Sequence, residues 1–116
     1  MIKCFIDSQG YPRAVSDKPD FECVATYLEQ DVQSSLPTIN LIGDILRKIA
    51  SGEMEEWSET GNAHTIMINL SGVIIENEYV DGAFSKLSIV DLSNVLETWK
   101  SIVLGSKSSN PASGPR

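Results

Sequence analysis

The run A-H-T-I-M-I-N-L (63–70), S-G (71–72), V-I-I-E-N-E-Y-V (73–80) decides the fold. Its period is two, and a two-residue break containing Gly72 suits a tight turn, so the stretch reads as a β-hairpin. The same period begins upstream at Met54: residues 54–59 read as a further strand, joined to the hairpin by a turn at Thr60-Gly61-Asn62. Three consecutive antiparallel strands are implied.

Toward the C-terminus, Ser88-Ile89-Val90-Asp91 has the form of a capping box with Asp in the usual Glu place. Leu87 and Leu92 are spaced as a hydrophobic staple, so a helix starts there. Val95, Leu96, Trp99, Ile102 and Val103 carry its apolar face to Leu104, and Gly105 is placed to end it. Residues 105–116 are polar and rich in Pro, Gly and Ser, the composition of a flexible tail. Toward the N-terminus, Thr38 follows Leu36-Pro37 and is placed to cap a helix that Gly52 stops. The stripe Leu41, Ile42, Ile45, Leu46 and Ile49 is the side of that helix that covers a sheet. Pro19, Asp20 and Glu22 suit a helix first turn, and Phe21, Val24, Leu28 and Val32 follow at helical spacing, which predicts a helix over 19–34. F-E-C-V-A-T-Y-L also has strand propensity, so a strand to Leu28 is the competing reading. Residues 2–7 and 11–16, on either side of Ser8-Gln9-Gly10, read as a hairpin. The expected fold is α+β in the order β-β-α-α-β-β-β-α, an antiparallel sheet with helices packed on one face and the other face partly open. There is no internal repeat, so residues 1–104 form one domain, followed by the tail.

The 116 residues are 41% apolar and 22% charged, enough for one core and too few for two. With 16 acids against 9 bases the net charge is −7, which repels nucleic-acid phosphates and anionic lipid and argues against direct binding of either. Cys4 and Cys23 lie in no metal or redox spacing and read as reduced core thiols. The opening M-I-K-C-F-I-D has no apolar signal core, which leads us to expect a soluble cytoplasmic protein.

The charge is unevenly placed. Residues 49 to 85 contain no Lys or Arg but hold Glu53, Glu55, Glu56, Glu59, Glu76, Glu78 and Asp81. These seven acids account for the whole net charge, because the remaining nine balance the nine bases. Scattered acids serve solubility, but acids on consecutive strands that pair in space point to a basic partner. Trp57, among Glu55, Glu56 and Glu59, is either a binding anchor that stacks guanidinium or a half-buried ring closing the sheet edge, and Tyr79 beside Glu78 poses the same choice. Trp99 lies in a core stripe.

Catalytic signals are absent from the chain. The sole histidine, His64, lies in a strand with no ligand or catalytic partner at a workable spacing, and reads as a solvent-facing or hydrogen-bonded strand residue. Glu76 and Glu78 point to one face of a strand, but exposed carboxylates among other acids are surface groups in most cases. No phosphate loop, dinucleotide fingerprint, nucleophile elbow or calcium loop occurs. We expect no enzymatic activity, no metal and no cofactor.

The segments Y-L-E-Q-D-V-Q (27–33), S-G-E-M-E-E-W (51–57), G-N-A-H-T-I-M-I (61–68), G-V-I-I-E-N-E-Y (72–79) and L-S-I-V-D-L-S-N-V-L-E-T-W (87–99) resemble a family of small bacterial YacL-like proteins, to which immunity proteins of contact-dependent growth inhibition systems look similar. The last segment is also similar to the final helix of many bacterial toxin-immunity proteins. The resemblance implies a protein without catalysis of its own that binds the toxic C-terminal domain of a delivered effector, in such systems often a nuclease and frequently one that cuts transfer RNA. The class alternative is a housekeeping acidic binding module, monomeric or homodimeric, with no toxin partner.

Overall fold

A computed structural model describes residues 2–108. Two antiparallel sheets and three helices form an α+β domain. Strands β1 (Ile2–Ile6) and β2 (Pro12–Ser16) pair as the expected hairpin. A 3₁₀ turn at Pro19–Phe21 leads into α1 (Glu22–Tyr27), which continues as a π-helical turn at Leu28–Val32. The segment read as helix over 19–34 is therefore helical, and the competing strand does not form. Helix α2 spans Leu36–Ser51, and strands β3 (Glu56–Thr60), β4 (His64–Asn69), β5 (Gly72–Asn77) and β6 (Phe84–Leu87) make a four-stranded meander before α3 (Ile89–Ser108).

The sequence reading needs correction in several places. Strand β6 was not expected; it pairs Val73 with Leu87 and Glu76 with Phe84. The hairpin β1–β2 is a separate sheet, packed on α1 and α3 rather than joined to the meander. Ser35, not Thr38, caps α2, its hydroxyl accepting the Thr38 N–H at 3.3 Å. The buried stripe of α2 takes in Ile39, while Leu41 is 46% exposed, because Leu41 falls off the sheet-facing side. Gly105 does not stop α3, which runs through to Ser108; the rest of the expected tail lies outside the described residues.

The meander carries the core on one face. Cross-strand rows place Trp57, Ile68, Val73 and Leu87 side by side, and Glu59, Ile66, Ile75 and Ser85 beside them. Val24, Leu28, Val32, Ile42, Leu46, Ile49, Leu92, Leu96, Trp99 and Val103 from the helices complete a single cluster with this face. Burying side chains of this size contributes roughly 1.5–3 kcal/mol each. Polar ties fix the parts: Trp99 Nε1 donates to the Gln33 carbonyl at 2.8 Å, and Glu29 accepts the Ala14 N–H at 2.7 Å and Arg13 Nε at 3.0 Å, joining β2 to the π turn. Cys23 is buried and Cys4 half-buried, both free thiols whose pKa burial pushes up, which makes them poor nucleophiles. No described helix is long and apolar enough to cross a membrane.

Candidate functional site

Among the described residues no helix covers the opposite face of the meander. Directly paired residues share a face, so the register sets two complete rows there: Ser58, Met67, Ile74 and Lys86, then Thr60, Thr65, Glu76 and Phe84. Glu56 and Asn69 form a shorter third row. Met67 and Ile74 are half-buried at the centre, and Phe84 is 57% exposed. Glu78 lies past the end of β5, but its carboxylate accepts the Thr65 hydroxyl at 2.8 Å, which brings it beside Glu76 on this face as its spacing implied. Lys86 is the only base in these rows.

The seven acids do not form one cluster. Glu53 and Glu55 sit in the loop before β3 with Glu56 at its start, whereas Glu76, Glu78 and Asp81 lie at or beyond the other end of the sheet. The two groups are separated by about 13 Å along the strands, four residues of β3. Glu53 accepts the Ser51 hydroxyl at 3.1 Å. Glu59 is exposed but faces the helix side of its edge strand. Trp57 takes the structural alternative: it is half-buried against the core, on the face opposite Met67. Tyr79 is 80% exposed, with its hydroxyl donating to the Asn62 carbonyl at 3.4 Å.

His64 is not a solvent-facing residue. It is wholly buried, and its Nδ1 donates to Asp31 Oδ1 at 3.0 Å; the carboxylate is acceptor-only, which fixes the proton on Nδ1. Nε2 meets Thr26 Oγ1 at 2.8 Å, and the Tyr27 ring stands edge-on at 5.9 Å. Asp31, 5% exposed, also accepts the N–H groups of Ala63 and His64 at 3.1 to 3.2 Å. The order Thr26, His64, Asp31 is that of a nucleophile, base and orienting carboxylate. Here, though, ring and carboxylate are sealed from solvent, and the Thr26 hydroxyl lies 3.1 Å from the Glu22 carbonyl of its own helix. The cluster fastens α1 and its π turn to the start of β4. Sequence reasoning missed it because Asp31 and His64 are 33 residues apart and nothing in either segment names the other.

A groove of about 610 Å³ lies between residues 19–26 and the β5–β6 end of the sheet, its lining including Phe21, Glu22, Thr26, Ala83, Phe84 and Lys86. It adjoins the Phe84 corner of the open face. Among the described residues no group of three or more His, Cys, Asp or Glu is gathered as a metal site. Comparison with known proteins finds no family model, no curated protein and no solved structure that matches the chain.

Proposed function

We propose that this protein is an immunity protein: it binds and neutralises the basic C-terminal toxin domain of a contact-dependent growth inhibition effector, a nuclease acting on transfer RNA, and has no catalytic activity of its own. The observation that carries the reading is the uncovered face of β3–β6, where Met67, Ile74 and Phe84 form an apolar strip bordered by Glu56, Glu76 and Glu78 with Lys86 as the one base in its rows. An apolar centre with a charged rim is the anatomy of a protein interface. A nuclease grips phosphates with a basic cleft, and carboxylates presented to that cleft compete for the same cations, giving fast and salt-sensitive association. To the contact surface we assign the exposed acids Glu53, Glu55, Glu56, Glu76, Glu78 and Asp81, with Tyr79 as the exposed aromatic.

The test measures affinity for the toxin domain encoded beside this gene, across a salt series, for paired reversals Glu55→Lys/Glu56→Lys and Glu76→Lys/Glu78→Lys. Asp44→Lys/Glu97→Lys, on exposed helix positions, changes the charge equally and serves as the control. We expect at least one sheet-face pair to lose tenfold or more and to flatten the salt dependence, with the control nearly silent. Equal losses in all three would mean that net charge alone acts, and a tight complex untouched by either sheet-face pair would place the interface elsewhere.

A further inference from the structure

The meander has two edges, and they are not alike. On one side the 3₁₀ turn Pro19–Phe21 packs against β6. On the other, β3 is terminal in the strand order and no described residue pairs with its outer edge. Gly61 N–H donates to the His64 carbonyl at 2.9 Å, so this pair is a hydrogen-bonded one. Antiparallel pairs alternate between bonded and non-bonded. Glu59 and Trp57 are therefore the residues that bond to β4, and the N–H and C=O groups of Glu56, Ser58 and Thr60 point outward from the sheet. All three residues are exposed. An open edge of five residues, about 17 Å long, is a template for another strand.

Charge decides which strand it admits. Glu53, Glu55, Glu56 and Glu59 run into and along this edge with no base between residues 49 and 85. A second copy paired edge to edge would bring the run Glu53, Glu55, Glu56 and Glu59 beside the same run of its partner, and that accumulation of like charge opposes the pairing. An extended segment with Lys or Arg at alternate positions meets no such penalty and satisfies the three outward N–H and C=O pairs. The acids thus disfavour self-association and favour a basic strand. We propose that β3 is the docking edge for an extended basic segment of the partner protein, which adds to the sheet as a fifth strand beside Glu56, Ser58 and Thr60. This rests on the reading above that the partner is basic, and adds where and in what conformation one of its segments is held.

The probe is a synthetic capped peptide, Lys-Val-Arg-Val-Lys-Val-Arg-Val, titrated into the full chain and followed by amide hydrogen exchange resolved by residue. In the free protein the amides of Glu56, Ser58 and Thr60 should exchange fast, whereas those of Trp57 and Glu59, bonded within the ladder, are protected. With the peptide in excess we expect the three outward amides to slow at least tenfold. The same peptide N-methylated at alternate residues, or with Glu in place of its cations, should leave them fast. The variant Ser58→Pro removes one outward N–H while leaving the β4 ladder whole, and should weaken both peptide and toxin-domain binding tenfold, with Trp57 and Glu59 protection confirming that the sheet is intact. Slowing confined to Met67 and Ile74 amides, or no slowing at millimolar peptide, overturns the edge proposal. If Ser58→Pro keeps full toxin-domain affinity while Glu76→Lys/Glu78→Lys loses it, the edge proposal fails and the immunity reading stands. If no variant affects a tight toxin-domain complex, both fail.

Discussion

Asp31 is the residue on which most depends for its size. One carboxylate satisfies His64 Nδ1 and two main-chain N–H groups, all in a site closed to water. Asp31→Ala strands these donors, and leaving a buried donor without its acceptor costs about 1–3 kcal/mol. Asp31→Asn retains an acceptor and should lose less, a difference that urea midpoints will read. Gly61 belongs to the same site: a Cβ there would press against the Asp31 carboxylate, which its hydrogen bonds hold in place. Gly61→Ala is expected to destabilise the native chain but much less the Asp31→Ala chain. A double-mutant cycle that comes out additive would separate the two residues.

Among the elements, the central hairpin turns differently from the pattern that revealed it. Asn69 pairs with Gly72, so the two loop residues are Leu70 and Ser71, and the Ser71 N–H donates to Asn69 Oδ1 at 2.8 Å. Gly72 is the first residue of β5, with φ of 138° and the Leu87 carbonyl 2.9 Å from where a Cβ would stand. Its need for glycine comes from that backbone angle and from β6, a strand the sequence pattern does not announce. Gly72→Ala should therefore cost about 1–3 kcal/mol and loosen β6, seen as faster amide exchange at Ser85 and Leu87. For α2, Ser35→Ala removes the cap and should cost about 1 kcal/mol, while Thr38→Ala should cost less. Helices and the long strands were legible because 16 to 20 residues of 3.6-fold spacing, or six of alternation, repeat their signal several times. Phe84–Leu87 is four residues and repeats it twice, too little to separate a strand from a loop leading to a helix cap.

At the scale of the whole molecule, Tyr27 links the acids of two elements. Burial pushes its phenol well above the ordinary range, and the Asp31 and Glu59 carboxylates nearby push in the same direction. The folded state keeps this proton where the unfolded chain has given it up, so the stability it represents is present below about pH 10 and is lost as pH rises beyond that. Urea midpoints between pH 9 and 11.5 should fall more steeply for the native chain than for Tyr27→Phe. Parallel slopes would remove Tyr27 as the cause.

The amino-acid sequence determined the class of fold, because hydrophobic period is a local property and each amphipathic segment declares the face it must bury. It also determined that the net charge lies within residues 49 to 85, since counting needs no geometry. Tertiary structure alone decided which of those acids share a surface. Strand register puts Glu76 and Glu78 at one end of the open face and Glu56 at the other, turns Glu59 to the far side, and sets Trp57 half-buried against the core. It alone joined Asp31 to His64 across 33 residues, and it alone left β3 with an open edge while β6 received a neighbour. Period two says that a residue points to one face or the other; which face is covered, and which edge is free, follows from how distant segments pack to bury the most apolar surface, and no single segment carries that information.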